Sequence, residues 1–179
     1  MTQTLLVNKS DFGDVSIVTK EAAPLVEGFI RCQVGPWALT ANNVTYMVTG
    51  DRIGYWNYFR PDAYGIHIES HGRMPVWGFA EIVESQCEGV SAGQKIYGFF
   101  PIVDQFDIKP VDISPMGFQD GNDHRKKLHS LYNRYTFTDA DPSFDLHQNF
   151  QPILRPLFTT SFLIDDFLLA VKILYSYEY

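Results

Sequence analysis

Short runs in which apolar and polar positions alternate fill the chain from Thr4 to about Tyr46. Residues 5–7, 15–19 and 29–34 read as strands separated by the turn clusters SDFGD and EAAPLVEG. The segment FIRCQVGPWA, from Phe29 to Ala38, keeps the alternation until Gly35 and Pro36 break it. Residues 76–84 and 95–100 supply two more strands, joined through Gly89 and Gly93. A further strand-like run, 105–113, contains Pro110, which lacks a ladder donor and so belongs at a sheet edge. Strands this short and this closely spaced predict a sandwich or barrel.

The period changes in the second half. Leu128, Leu131, Tyr132 and Tyr135 recur at i, i+3, i+4 and i+7, which predicts a helix from His124 that stops before Asp139 to Pro142. From Pro156 onward, Leu157, Ile164, Leu168 and Val171 again recur at helical spacing. Asp165, Asp166 and Lys172 interrupt that run, so it predicts a buried or docking helix and no membrane span. The terminal VKILYSYEY reads as the start of a new strand. Between the two halves, residues 51–73 form a long aromatic insertion in which Tyr55, Trp56, Tyr58 and Phe59 are too dense for one strand face. Such an insertion is either a cover over a cleft or a packed loop. The expected class is mainly β with peripheral helices: a partly open barrel over 1–122, then a helical segment over 123–179.

Composition narrows the range of functions. The chain has 179 residues, enough for one domain with a substantial core, and 15% of them are aromatic, so either an apolar cleft or a β-rich core is well supplied. A net charge of -7 disfavours nucleic acid and anionic membrane as partners. Two cysteines, Cys32 and Cys87, make neither a metal-spaced set nor a disulfide framework, and the N-terminus lacks the basic start and apolar run of a secretion signal. A cytoplasmic location is expected.

Three stretches carry a family resemblance: ALTANNVTYMVTG at 38–50, PVWGFAEIVES at 75–85 and GVSAGQKIYGF at 89–99. With the opening strands, they resemble the GroES-like domain of the medium-chain dehydrogenase/reductase superfamily, in its zinc-independent, quinone-oxidoreductase-like wing. PVWGFAEIVES, HRKKLHSLYNRY and LRPLFTTSFLIDDF are also similar to one branch of unknown function, and the likeness spans roughly residues 1–168. The resemblance implies a barrel that supplies substrate-facing residues beside a separate Rossmann domain holding NADPH or NADH. The chain ends where that domain would start, with no glycine-rich phosphate turn, so no cofactor is expected on this chain alone.

The resemblance also implies site residues. Tyr46, four positions before Gly50, matches a pocket tyrosine whose phenol would donate to a carbonyl oxygen gaining charge; a packing tyrosine is the alternative. Asn42 and Asn43 lie beside it, although the group's asparagine aligns with Ala41. Tyr55 and Trp56 would cover the pocket, while Trp77 and Phe79, on alternate strand positions, would wall it or fill the core. Pro75, Val76 and Trp77 stand where zinc-dependent relatives have Gly-His-Glu, so no metal is expected. His67 and His71, with Glu69 between them, lack an evident third ligand. The cluster His124, Arg125, Lys126, Lys127, His129 and Arg134 is most simply a solvated helix face. Three functional readings remain open: the substrate-side part of a carbonyl, enone or quinone reductase acting on small apolar carbonyl compounds and inactive alone; a noncatalytic module that pairs with another copy or protein through the last helix and strand; and a truncated product of a full-length oxidoreductase.

Overall fold

The computed structural model describes residues 1–142, 144 and 148–176. Strands β1 (Thr2–Asn8), β2 (Val15–Lys20), β3 (Ile30–Ala38), β4 (His71–Gly72), β5 (Pro75–Ser85), β6 (Lys95–Pro101), β7 (Gln105–Ile108), β8 (Pro110–Ser114), β9 (Gly117–Asp120) and β10 (Arg134–Phe137) form two sheets. A small sheet has the order β2-β1-β4, and a seven-stranded sheet runs β7-β3-β5-β6-β10-β9-β8, with antiparallel pairing throughout. Helices α1 (Ala41–Val48) and α2 (Gly50–Ile53) follow β3, and α3 (Gln151–Ser176) closes the described chain.

The seven-stranded sheet is curled into a partly open barrel, and chain connectivity explains why. Its two edge strands, β7 and β8, are separated only by Lys109. Cα atoms of Ile108 and Pro110 can therefore be at most about 7 Å apart, so the edges must approach each other. Pro110 begins an edge strand, as its missing N–H requires. The small sheet joins the large one through β1, whose Leu5 N–H donates to Ile102 O at 3.0 Å and whose Gln3 O accepts from Asp104 N–H at 2.9 Å. Ile30, Ile82, Ile96, Phe99, Phe100, Ile108 and Tyr135 fill the interior. Burial of each such side chain stabilises the fold by about 1.5–3 kcal/mol.

Three sequence expectations are corrected. The β-rich reading that runs to Tyr46 ends at Ala38, and α1 follows. No continuous helix forms from His124: turns of 3-10 helix at Asp123–Arg125 and Ser130–Asn133 lead into β10, which inserts between β6 and β9. The reason is Tyr135, which lies across Gly98, where any side chain would collide with its ring, and donates to Phe99 O at 2.9 Å. Third, Val171–Ser176 continue α3 instead of starting a strand; the end of that expectation, 177–179, lies outside the described residues. The insertion at 51–73 packs as short helical turns, with Trp56, Tyr58 and Phe59 buried.

The basic cluster is not a uniform solvated face either. Lys126 is exposed, but the Arg125 side chain is fully buried. Its Nε donates to Asn133 Oδ1 at 2.7 Å and its Nη2 to Tyr132 O at 2.7 Å. Nη1 lies 3.3 Å from Asp120 Oδ2 and donates to Tyr58 O at 3.4 Å, while the guanidinium stacks 4.7 Å from the Phe59 ring centre. Replacing Arg125 by Met leaves the Asp120 carboxylate buried without its cation. Loss of one partner from such a pair costs about 3–5 kcal/mol. Urea unfolding of Arg125→Met is expected to show that loss, whereas Lys126→Met should unfold like the parent.

Candidate functional site

Helix α1 is held at its start by Asn43. The Asn43 Oδ1 accepts from Thr40 N–H at 2.6 Å, and its Nδ2 donates to Pro75 O at 2.8 Å, tying the helix to β5. Those bonds aim the next turn at the sheet, so Tyr46 stands edge-on to Phe99, with centroids 5.3 Å apart. Strands β5 and β6 present Trp77 and Tyr97 on one face, stacked at 5.7 Å. Tyr132 arrives from the 130–133 turn and shares a hydroxyl–hydroxyl hydrogen bond of 3.0 Å with Tyr55. Together with Asn42, Met116 and Arg155, Pro156, Thr159 and Thr160 of α3, Tyr46, Tyr55, Trp77, Tyr97 and Tyr132 line a cavity of about 490 Å³.

Polar groups stand among these rings, and Thr45, Arg134, Thr136, Thr159 and Thr160 add others to the wall. Trp77 Nε1–H donates to the Tyr46 hydroxyl oxygen at 3.1 Å, which leaves the phenol proton to be donated onward. Among the described residues no acceptor takes it. Tyr97 is 5% exposed, and its hydroxyl has no partner among the described residues. The Arg155 guanidinium lies 4.6 Å over the Tyr97 ring and reaches Asp141 at 3.1 Å. Burial pushes the phenols of Tyr46, Tyr97 and Tyr132 above their usual pKa, so all three remain protonated donors at neutral pH.

The structure brings Asn42, Tyr46, Tyr55 and Trp77 together around one cavity. Asn43 is a buried capping residue, 2% exposed. Trp56 is 4% exposed and packs between Gly50 and Gly72, where a side chain at either glycine would strike its indole. Phe79 faces Tyr97 and Phe144 and does not line the cavity. Sequence reasoning missed Tyr97, Tyr132 and Arg155. Tyr97 was within reach of it, since a residue paired with Phe79 across β5 and β6 shares the face of Phe79 and Trp77. A wider apolar trough of about 860 Å³ lies beyond Arg155, walled by Met116, Ala140, Phe150 and Phe158.

His71 bonds Ser70 Oγ through Nδ1 at 2.9 Å and has Asp14 3.7 Å from Nε2, while His67 lies in a shallow groove with Glu69. Among the described residues no three His, Cys, Asp or Glu side chains converge as a metal site. No helix among them is long and apolar enough to cross a membrane.

Alkaline pH tests the burial of these phenols. Tyr64, whose pKa burial raises from 10.0 to about 12, behaves like the pocket tyrosines. The unfolded chain loses these protons above pH 10 while the folded chain keeps them, so folding stability is fully present below pH 10 and falls as pH rises towards 12. Tyrosinate absorbance of the native protein is expected to stay well below the full count of ten tyrosines at pH 11. It should reach that count only on unfolding.

The chain matches none of the curated proteins. Residues 37–177 match one family, covering α1, the cavity-forming part of the sheet and all of α3. The chain therefore belongs to the family described as Protein of unknown function (DUF2855).

Proposed function

We propose that this chain is the substrate-side, GroES-like part of a zinc-independent NAD(P)H-dependent reductase of small apolar carbonyl, enone or quinone compounds. The observation that carries this reading is the Tyr46 hydroxyl, oriented by the Trp77 N–H in an aromatic cavity, whose proton, like the adjacent Tyr97 hydroxyl, finds no partner among the described residues. A flat apolar ligand would sit among Tyr55, Trp77, Tyr97 and Tyr132, and its oxygen would accept from Tyr46. As negative charge grows on that oxygen, the preorganised donor stabilises it more than it stabilises the neutral carbonyl.

The chain's own residues do not fit a dinucleotide. Gly89 and Gly93 turn between two strands, and Gly117 and Gly121 bracket β9, so none of these opens a helix as a phosphate cradle does. Zinc does not fit either, because Pro75, Val76 and Trp77 supply no ligand. The role assigned to this chain is to bind and polarise the carbonyl compound, and reduction requires a nucleotide held by other residues. The free thiols Cys32 and Cys87 accord with a reducing cytoplasm.

A second reading is favoured by α3. Its polar and proline positions, Gln151, Pro152, Arg155 and Pro156, face the barrel, while Phe158, Phe162, Leu163, Ile164, Phe167 and Leu168 are all more than 50% exposed. A helix so apolar on its outer side belongs in a buried environment, and a second copy of this chain would provide one.

Titration with a cyclic enone and with its carbonyl-free hydrocarbon analogue tests the leading reading. Tyr46→Phe is expected to weaken enone binding about two- to tenfold, the worth of one hydrogen bond, and to leave the hydrocarbon unaffected. Equal losses for both ligands, or none, would exclude Tyr46 as the polarising donor. The isolated chain should not oxidise NADPH in the presence of quinones or enones, and clear turnover would contradict the division of labour proposed.

A further inference from the structure

Two guanidinium groups are buried among the described residues, and only one of them is matched there by a carboxylate. Arg125 has Asp120, Asn133 and two carbonyl oxygens around it. Arg73, only 2% exposed, has a single hydrogen-bond acceptor, the Thr4 hydroxyl at 3.0 Å from its Nε, and lies 4.4 Å over the Tyr64 ring. Thr4 passes its own proton to Ile102 O at 3.3 Å. The Arg73 Nη1 is buried with no acceptor, and so is the neighbouring Tyr64 hydroxyl. Burying a charge without a counter-charge is costly, and evolved interiors normally supply an anion to meet it.

Arg73, Thr4 and Tyr64 line a cavity of about 360 Å³ that shares no residue with the tyrosine cavity. Lys20 stands at its rim, with Nζ 2.7 Å from Tyr64 O. One carboxylate on its wall, Asp107, is already held by Arg31 through two bonds of 2.8 and 2.9 Å. Glu21 also lines the cavity but is exposed. The pKa of Arg73 falls from 12.5 to about 10 because burial disfavours its charge and no carboxylate restores it. The cavity thus presents an excess of donors with one buried, uncompensated positive charge.

We propose that this cavity is a binding site for a small oxyanion, a carboxylate or inorganic phosphate, which Arg73 holds as its missing counter-charge while Lys20 closes the rim. A planar guanidinium with free N–H groups matches either oxyanion in geometry. The anion would also fasten β1 to the 62–66 turn, since Thr4 and Tyr64 flank Arg73 from those two elements.

Calorimetric titration of the full chain with inorganic phosphate and, separately, with acetate tests this against sodium chloride of equal ionic strength. Saturable one-site binding of one anion is expected, and the arm that saturates identifies the source. Arg73→Lys should bind about tenfold more weakly, the worth of a charge-assisted hydrogen bond. Absence of saturable heat with both anions, or Arg73→Lys binding as tightly as the parent, would overturn the proposal. If Arg73→Lys fails to fold, Tyr64→Phe, which removes only a hydroxyl, decides in its place by the same criterion.

Discussion

The Arg125 guanidinium is the contact on which the aromatic half of the molecule depends. It joins three segments at one point: the end of β9 through Asp120, the turn before β10 through Tyr132 and Asn133, and the 51–73 insertion through Tyr58 O and the Phe59 ring. Asn133 returns a bond to Arg125 O at 3.0 Å, and His124 reaches Tyr58 O at 3.2 Å, so the junction is braced from both sides. Each bond is modest alone, but a buried charge must satisfy its donors together, which leaves the three segments one mutual arrangement. Tyr55, Tyr58 and Tyr132, the aromatic rim of the candidate site, are positioned by that arrangement.

Glycine clearances complete the geometry. Tyr135 can cross β6 only because Gly98 has no side chain, and this places β10 against β6 and fixes where the preceding turn presents Tyr132. Trp56 is received in the same way between Gly50 and Gly72, which anchors the insertion close to α1. The cavity is the space left between α1, the insertion and the β5–β6 face once these large side chains have been seated. Its character is set by what the packing of the described residues leaves unsatisfied, the Tyr46 proton and the Tyr97 hydroxyl.

Strands β1, β2, β3, β5 and β6 and the 105–113 run were legible in the sequence as short apolar runs bounded by turn residues, and Pro110 marked an edge, whereas the short β4 and β9 were not read. The region from His124 was not legible, because Leu128, Leu131, Tyr132 and Tyr135 satisfy helical spacing by coincidence. Nothing local reveals that Arg125 is wanted in the interior by Asp120 or that Tyr135 has a glycine waiting on β6. Helix α1 was hidden for a related reason: β-branched Val44, Thr45 and Val48 weaken its local preference, and the Asn43 bond to Pro75 O supplies the missing stability from 32 residues away. Of the residues that line the cavity, Tyr46 was named by resemblance and Asn42 as its neighbour, Tyr55 by the dense aromatic insertion and Trp77 by strand alternation. Arg155 and Tyr132 enter through tertiary packing that no spacing encodes.

A barrel face lined with aromatic rings, carrying a phenol whose oxygen is held by an indole N–H, is suited to recognising a flat molecule with one polar oxygen. In the proposed function Tyr46 donates to that oxygen. Infrared difference spectroscopy of a bound enone reports on this bond directly, because a hydrogen bond lowers the carbonyl stretching frequency. A lowered band in the parent protein that returns to its apolar-solvent position in Tyr46→Phe is the predicted result; a band that is unshifted in the parent, or equally shifted in both proteins, would contradict it.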